Sequence, residues 1–481
     1  MELITQFIND LGNFIFIPVI FLVLMKLLGR PWSECISSAI KVGIGFIALT
    51  MTIMLMLEKM QPAVTGLAEA TGSSLSAIDV GGAATAVMGF GSSMGAIIIP
   101  LCVAVNIAML VARLTDCVNV DVFNLHQNAS MGAIVGAYSG SFLYGALTAA
   151  LFHVWALIAA DLGAQKNEQF FNLPKGVAIS HPVANTYLLF AYPFNWVYDR
   201  IPGFRNLNVT AESIQKRFGI LGDPTMVGFI IGILLGFCGY SWESPYHTVI
   251  ASLQLGMYLA AVMLLLPRMT PIMMEGLVPL SNVARKKLVK RFPDREITVG
   301  MDTALIVGHP SVIAPALLLI PVIVILAVIL PGNRVMPLGD LSQFVFFIAC
   351  MVPVFNGNII RTWVTSIILF GGGLYIASWM APATNEVFQK FGTNPDASVM
   401  YSSLNPSANP FTGLFAAISH VGIVGYVLAA VLLISVGYLL KQKARRQLKA
   451  EAEAEKAVLL DVNYLGRYAS TTLAAFELFL S

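Results

Sequence analysis

The amino-acid sequence predicts an all-α polytopic membrane protein with about eleven transmembrane helices, in two inverted five-helix repeats that each include a re-entrant hairpin. Three observations predict this fold class. Of the 481 residues, 57% are hydrophobic and only 11% are charged, whereas soluble globular chains carry about 25% charged residues. Apolar runs of about 20 residues recur along the whole chain. The basic residues fall largely on one side of these runs.

The composition also excludes several classes of protein. It does not fit an ordinary cytoplasmic enzyme or a disordered chain. The net charge of +2 is too small and too dispersed to indicate a nucleic-acid partner. The five cysteines form no CxxC pair and no metal-ligand spacing, so we predict no disulfide framework, no metal site and no cofactor. The absence of a GxxxxGK[ST] loop disfavours an ATP-driven pump.

The predicted spans follow from the apolar runs, although several are short or interrupted by proline and glycine. Residues 1–10 carry no basic segment, so the first run is predicted to be a true span rather than a cleaved signal. The spans are 7–28, 35–57, 96–113, 120–138, 142–160, 222–240, 247–266, 311–330, 341–356, 359–380 and 420–440.

Two further apolar segments are predicted to be re-entrant hairpins that do not cross. Segment 176–199 contains His181-Pro182-Val183-Ala184-Asn185, and segment 398–418 contains Asn405-Pro406-Ser407-Ala408-Asn409. Prolines and amides inside an apolar stretch leave backbone groups without helical partners. Such backbone is tolerated at membrane depth only where it is buried in protein or lines a wet cavity.

The positive charges set the orientation. With these spans, one side receives the basic cluster 285–295 and the tail 441–467, with most other basic residues. The other side receives only Lys59, Arg334 and Lys390. The basic side is therefore predicted to be cytoplasmic, with the N-terminus outside and the C-terminus inside a bacterial inner membrane.

The two halves of the chain resemble each other. The paired elements keep the same order at offsets of about 209–224 residues. They are Gly29–Trp32 with Gly239–Trp242, Met60–Pro62 with Met269–Pro271, Ile78–Gly81 with Ile297–Gly300, Asp121 with Asp340, Tyr138–Ser141 with Phe355–Asn358, and His181–Asn185 with Asn405–Asn409. Five crossings per unit is an odd number, so the second copy is predicted to insert upside down, as in many secondary transporters.

This repeat divides the chain into six predicted parts. Scaffold helices of the first repeat occupy 1–60, and its core with the first hairpin occupies 61–200. A linker and the second scaffold occupy 201–268, and the second core with its hairpin occupies 269–418. A final transmembrane helix, 419–441, precedes a cytoplasmic tail, 442–481.

Polar residues within the spans are the candidate substrate contacts. Polar side chains are energetically unfavourable inside a membrane, so those that occur there usually serve a function. They are mostly neutral amides, hydroxyls and imidazoles with a few carboxylates, which suits a polyol whose hydroxyls donate and accept. The candidates are Asp79, Asp121, Asn124, His126, Gln127, Asn128, His181, Asn185, His309, Asn356, Asn405 and Asn409, followed by Thr85, Asp302, Asp340, Gln343 and Asn358.

Structural roles compete with this interpretation. Asp121 and Asp340 lie at loop–helix boundaries, where N-capping is the favoured role. His181 precedes a proline, so a capping histidine is the alternative to a substrate contact. The hairpin asparagines can equally stabilise their own turns. The basic cluster 285–295 can attract anionic lipid or a partner, but simple positive-inside topology explains it.

Four motif groups resemble one transporter family. They are Ile78-Asp79-Val80-Gly81-Gly82, Val118-Asn119-Val120-Asp121, Pro331-Gly332-Asn333-Arg334 with Gly339-Asp340-Leu341, and Asn356-Gly357-Asn358 with Gly373-Leu374-Tyr375. Over about residues 1–450 the chain resembles the membrane subunit, EIIC, of the galactitol branch of the PEP-dependent sugar phosphotransferase system. The related ascorbate permeases share a histidine where this chain has His181, but carry glutamines where it has Pro182–Asn185.

The resemblance implies a homodimer in which a V-motif scaffold supports a core that moves as an elevator. It implies that galactitol or a similar polyol is phosphorylated at the cytoplasmic face to galactitol 1-phosphate by a phosphocysteine on a separate EIIB protein, which EIIA recharges. The chain would then be no enzyme alone but the membrane subunit of a protein-phosphocysteine–galactitol phosphotransferase. Asp121 or Asp79 is the candidate proton acceptor.

Two other functions remain open. The first is a proton- or sodium-coupled symporter on the same scaffold, which an ion gradient would drive. The second is a channel or receptor, which an unbroken polar stripe along several spans would favour. Within the first interpretation, other hexitols, arabitol or galactose remain alternative substrates.

Overall fold

The computed structural model describes residues 15–442 except 16–17, 20–21, 24, 71–74, 122–123, 208, 211–212, 214–222, 292–294, 338, 393–396 and 441. All but the first residue of the predicted tail 442–481 and most of the predicted span 7–28 therefore lie outside the described residues.

The first half of the chain is a series of helices joined by short strands. The helices are α1 (Trp32–Ala70), α2 (Gly81–Gly91), α3 (Gly95–Val111), α4 (Leu125–Ser139), α5 (Phe142–Phe171) and α6 (Pro182–Tyr198). The strands are β1 (Ala77–Asp79), β2 (Cys117–Asn119) and β3 (Val177–Ile179).

The second half repeats this alternation of helices and strands. Its helices are α7 (Pro224–Gly239), α8 (Pro245–Arg291), α9 (Pro310–Ile329), α10 (Phe344–Ile348), α11 (Ile359–Phe391), α12 (Pro410–Ser419) and α13 (Ile423–Leu440). Its strands are β4 (Thr298–Met301), β5 (Val335–Met336) and β6 (Met400–Ser402).

Apolar helices make this a polytopic membrane protein. Within the described ranges, five helices are long and apolar enough to cross a bilayer: α5, α9, α11, α13 and the Pro245–Leu265 part of α8. The bent pair Ala84–Gly91 and Gly95–Val111, with 85° between its two parts, raises the number to six if it forms one span. The predicted total of about eleven crossings stays a prediction.

Six short strands correct the all-α prediction. They form two parallel three-stranded sheets, in the orders β5-β1-β6 and β2-β4-β3. In each sheet the central strand comes from one half of the chain and both edge strands from the other half. Ile78 pairs with Met336 and Tyr401, and Val299 pairs with Val118 and Val177. Each sheet therefore joins the two halves.

Segment 341–356, which we predicted to be one transmembrane helix, is not a continuous helix. It forms a 3₁₀ turn (Leu341–Gln343), the five-residue α10 and a second 3₁₀ helix (Ala349–Phe355) that contains Pro353. Proline removes a backbone donor and disfavours the α-helical ladder, so a continuous helix does not form. Most of its side chains are nevertheless buried in the protein.

Helices α4 and α5 pack closely near the centre of the molecule. Gly132 and Gly145 face each other so closely that a Cβ on either would meet the backbone oxygen of the other. Only glycines permit this approach, as in other close-packed membrane helices. The contact positions the start of α4, which carries several candidate residues, against the buried α5.

The helices α1, α7 and α8 pack against one another as a group. Gly66 of α1 abuts the backbone of Gly239 at the end of α7, and Gly276 of α8 abuts Ser38 of α1. An ion pair of 3.0 Å joins Lys41 to Glu275. α1 continues past residue 60 to Ala70, and α8 continues past residue 268 to Arg291.

Candidate functional site

The candidate residues gather at the carboxyl ends of the two parallel sheets. Parallel strands present their carboxyl ends at one edge, which is where α/β proteins commonly bind ligands. At one sheet, Asp121 follows β2, His181 follows β3 and Asp302 follows β4. At the other, Asp79 ends β1 and Asn405 follows β6.

Asn124 bridges two carboxylates beside the first sheet. Its side-chain nitrogen donates to Oδ2 of Asp121 and to Oδ2 of Asp302, each at 2.5 Å. Its backbone N–H also donates to Oδ1 of Asp121 at 3.3 Å, so Asp121 caps the turn before α4. Asp302 uses its other oxygen, Oδ1, to accept from the backbone N–H of Ala304 at 2.6 Å. One amide thus donates to two acidic groups, of which Asp121 is buried and Asp302 partly buried.

His181 caps α6, as the alternative interpretation expected. Its Nδ1 accepts from the Ala184 N–H at 3.1 Å, and Pro182 occupies the first turn. The buried ring stacks on Phe346, with 6.5 Å between the ring centroids. Its Nε2 lies 3.1 Å from the side-chain nitrogen of Gln127. Capping therefore uses one side of the ring and leaves the other facing Gln127.

The contact between His181 and Gln127 has more donors than acceptors. Because Nδ1 accepts, the neutral ring carries its proton on Nε2, which faces the Gln127 amide nitrogen. The Gln127 oxygen accepts from the Val183 N–H at 3.3 Å, so rotating the amide would place two donors together there. A group that accepts hydrogen bonds, such as a hydroxyl oxygen, would satisfy this cluster.

A second carboxyl pair lies at the end of the other sheet. Oδ2 of Asp79 accepts from the Asp340 N–H at 2.7 Å, and Oδ1 of Asp79 accepts from the backbone N–H groups of Gly81 and Leu404. Oδ2 of Asp340 accepts from the Ser403 hydroxyl at 2.7 Å and the Asn405 N–H at 2.8 Å.

N-capping was the favoured role for Asp340, and this expectation was wrong. Its side chain makes no capping hydrogen bond to the 3₁₀ turn that follows. Instead it binds the turn after β6. The close contact of Gly81, at φ +81°, with Gly339 brings β1 close enough for this arrangement.

The two hairpin helices meet at Asn409. Asn409 caps α12 by accepting from the Phe411 N–H at 2.9 Å, and it donates to the Thr186 hydroxyl of α6 at 3.3 Å. Asn185 donates to the carbonyls of Ile179 and Ala156. Both residues are fully buried; the Asn409 nitrogen joins the two hairpins, whereas the Asn185 nitrogen ties its own hairpin to α5.

The remaining candidates of α4 are buried within the first half. Asn128 donates to the Ala149 carbonyl at 3.2 Å, which ties α4 to α5. His126 packs on Phe90, with ring centroids 6.0 Å apart. Both are consistent with packing between helices.

His309 and Asn356 are placed elsewhere. His309 caps α9 by accepting from the Ser311 N–H at 3.1 Å and packs against Phe170 and Phe171. Asn356 is exposed and has φ +52°, the left-handed conformation that asparagine tolerates in a turn. Capping and turn geometry account for these two positions.

Several buried oxygens of the candidate residues lack hydrogen-bond donors in the described part of the chain. They are Oδ1 of Asn128, Asn185, Asp340 and Asn405. Buried acceptors in folded proteins are almost always satisfied, so ligand or solvent hydroxyls fit here. Over the described ranges, no group of three or more His, Cys, Asp or Glu residues could hold a metal ion. The arrangement can bind a neutral, hydroxyl-rich molecule.

Sequence analysis missed Ser403 and Thr186, which hold Asp340 and Asn409 in place. Their signal was weak because a buried hydroxyl in an apolar run is ordinary. Asp302 and Asp340 ranked behind the other candidates in the sequence, because the residues that they contact are far away along the chain. The pairing of Asp121 with Asp340 between the halves and the motif Gly339-Asp340-Leu341 were indications that Asp340 belongs to a site.

Comparisons with known proteins give one consistent result. The family model EIIC-GAT, described as a PTS system sugar-specific permease component, matches residues 6–398. A putative permease IIC component of Escherichia coli K12 is 34% identical over 439 residues, covering 91% of this chain and 99% of that protein. The galactitol-specific EIIC component of the same strain is 31% identical over 453 residues, covering 93% and 98%.

Proposed function

This chain belongs to the EIIC-GAT family of sugar-specific permease components of the phosphotransferase system, and on that premise we propose that it carries a sugar alcohol across the membrane. Galactitol is the first candidate, because a galactitol-specific relative aligns over nearly the whole chain. The similar identity to a putative permease without a stated substrate leaves arabitol, another hexitol or galactose as alternatives.

The observation that carries this proposal is the balance of donors and acceptors. The carboxyl ends of the sheets combine unsatisfied amide and carboxylate oxygens with the donor-rich contact of His181 and Gln127. A polyol hydroxyl can donate to the first group and accept from the second. In the described contacts of Asp79, Asp121, His181, Asp302 and Asp340, no Lys or Arg side chain takes part, which disfavours an anionic substrate.

The inverted repeat belongs to the same proposal. The strands support it, because each sheet places one strand of one half between two strands of the other. The acidic groups follow the same pattern. Asp79 ends one central strand and Asp302 follows the other, whereas Asp121 and Asp340 each follow an edge strand. An approximate twofold axis between the sheets would relate these pairs. Opposite insertion of the halves would place the site at their interface, near the membrane midplane.

The transport cycle we propose uses the packed group α1, α7 and α8 as the scaffold of a homodimer. The remaining helices form a core that moves as an elevator, with the N-terminus outside and the C-terminus cytoplasmic. EIIA and EIIB supply the phosphoryl group. A dianionic sugar phosphate fits poorly among buried carboxylates, so phosphorylation would release the product inward.

The transfer step requires a proton acceptor. A substrate hydroxyl oxygen attacks phosphorus, the P–O bond forms, and the P–S bond to the EIIB cysteine breaks to leave a thiolate. The hydroxyl proton passes to a carboxylate, for which Asp121 and Asp79 are the candidates. With galactitol the product would be galactitol 1-phosphate.

The proposal is tested by uptake of labelled galactitol into vesicles that contain the purified full chain, phosphoenolpyruvate and the soluble phosphotransferase proteins. Formation of galactitol phosphate inside only when the phosphoryl donor chain is complete is the expected result. Matched vesicles lack EIIB or carry an imposed ion gradient. Accumulation of free galactitol on the gradient alone would overturn the phosphotransferase mechanism in favour of an ion-coupled symporter.

A further inference from the structure

The hydroxyl of Tyr187 is buried without a partner. Tyr187 lies on α6, is fully buried, and packs against Phe370 and Phe347, with centroid distances of 4.8 and 6.2 Å. Its hydroxyl oxygen has no hydrogen-bond partner among the residues that the structure describes. Buried tyrosine hydroxyls usually find a partner, because an unsatisfied polar group is unfavourable in the interior.

Two other buried tyrosines have hydrogen-bond partners for their hydroxyl groups, unlike Tyr187. The Tyr198 hydroxyl bonds to the Thr365 hydroxyl at 2.9 Å, and the Tyr426 hydroxyl bonds to that of Thr148 at 3.0 Å. Phenylalanine would fill the aromatic contacts at position 187 equally well. The additional oxygen of Tyr187 is therefore not explained by packing.

The turn after β6 connects the Asp340 carboxyl to the neighbourhood of Tyr187, because its Asn405 N–H donates to Asp340 and its Asn409 side chain donates to Thr186, the residue before Tyr187. Asp340 is fully buried, and its Oδ1 receives no hydrogen bond from any donor in the described ranges. The neighbouring Asn405, whose backbone binds Asp340, also has an unsatisfied Oδ1. This turn thus links the region of one unsatisfied donor, the Tyr187 hydroxyl, to two unsatisfied acceptors.

The position of this group relates it to His181. Both His181 and Tyr187 belong to the start of α6, and both rings contact the same short segment: His181 stacks on Phe346 and Tyr187 packs on Phe347. Asp340 lies just before that segment. A linear molecule with several hydroxyls along its length can therefore contact His181 at one end and Asp340 at the other.

We propose that Tyr187 and Asp340 form a hydroxyl-binding subsite, in which one substrate hydroxyl accepts a hydrogen bond from Tyr187 and donates one to Oδ1 of Asp340. This inference rests on the proposed polyol transport and names residues that recognise its substrate. A hydroxyl fits because it donates and accepts at once, whereas a phosphate would be repelled by the carboxylate. Tyr187 comes from the first half and Asp340 from the second, so the subsite spans both.

The test compares Tyr187→Phe with Tyr198→Phe in the purified full chain, with galactitol binding measured by titration calorimetry and unfolding measured without ligand. Tyr187→Phe should weaken binding about tenfold, because one hydrogen bond is lost. It should leave the melting temperature unchanged or raised, since no protein partner is lost. Tyr198→Phe should lower the melting temperature and leave the affinity unchanged.

Equal affinities of wild type and Tyr187→Phe would overturn the subsite while leaving the transport proposal intact. A fall in the ligand-free melting temperature of Tyr187→Phe as large as that of Tyr198→Phe would also overturn it, by indicating a hydrogen bond within the protein. If the wild type binds neither galactitol nor any other hexitol or pentitol, both the subsite and the polyol substrate fall.

A second measurement locates the hydroxyl. Monodeoxy galactitols each lack one hydroxyl, and one of them should bind wild type and Tyr187→Phe equally, because its missing group is the one Tyr187 contacts. If Tyr187→Phe weakens every analogue by the same factor, the hydroxyl contact is refuted.

Discussion

Oδ2 of Asp79 accepts a 2.7 Å hydrogen bond from the backbone N–H of Asp340, although 261 residues separate the two in the chain. This contact depends on the approach of Gly81 to Gly339 beside it. The position of the second carboxyl pair is therefore determined by two glycines rather than by the acids alone.

Replacing Gly339 by alanine should disturb this junction. The added Cβ would meet the backbone of Asp79, Val80 and Gly81, none of which can rotate away. We expect a loss of about 1–3 kcal/mol in unfolding free energy and weaker galactitol binding, measured by thermal unfolding and calorimetry. Gly372→Ala is the matched control, because a Cβ there meets nothing within 4 Å. Unchanged stability of Gly339→Ala would contradict the predicted clash.

The two roles of His181 can be separated. Asparagine is a good N-cap, so His181→Asn should keep the stability within about 0.5 kcal/mol of wild type, whereas His181→Ala should lose about 0.5–2 kcal/mol. Asparagine is too short to reach Gln127 as the imidazole does, so both variants should lose at least about tenfold in galactitol affinity. If His181→Asn binds galactitol with wild-type affinity, His181 acts only as a helix cap.

Asn124 should be coupled to the acids that it bridges. Asn124→Leu removes the donor shared by Asp121 and Asp302, which should lower the unfolding free energy by about 1–3 kcal/mol. Adding Asp302→Asn should restore part of this loss, because only one carboxylate then remains. A double-mutant cycle by thermal unfolding measures the coupling. Strict additivity of the two changes would argue against the bridge.

Arg361 ties α11 to the segment after α6. It is buried and donates to Asn195 at 2.6 Å, to Asp199 at 2.7 Å and to the Phe204 carbonyl at 2.9 Å. Arg361→Met should lower stability by about 1.5–3 kcal/mol, because the three hydrogen bonds of the buried guanidinium are lost. Asp199→Asn should lose at most about 1 kcal/mol, since the Asp199 side chain is half exposed. Equal losses would show that the ion pair alone holds this segment.

Hydrophobic length predicted much of the helical architecture. The run at 311–330 forms α9 (Pro310–Ile329), and the run at 96–113 forms α3 (Gly95–Val111). These helices follow from their composition because membrane-depth backbone must satisfy its own hydrogen bonds. Residues 341–356 failed as a span because burial within the protein lets irregular backbone persist around Pro353.

The strands were not predictable by such local reasoning. Each has two to four residues, too few for a period to appear. Their pairing partners are distant, as for Ile78 with Met336. The same distance hid the bridge from Asn124 to Asp302, although both residues were identified as polar groups within apolar surroundings. His181 and Asn409 each cap a helix whose first residue is proline, which agrees with the capping alternative that the proline after His181 had suggested.

The exchange of strands between the halves has a consequence for biosynthesis. When the ribosome has completed α6, β1 has neither of its neighbours, and β2 and β3 lack the strand that separates them. The first sheet to be completed awaits residues 298–301, and the other awaits residues 400–402. Neither half can therefore mature as an independent folding unit, and a chain released early would display unpaired strand edges.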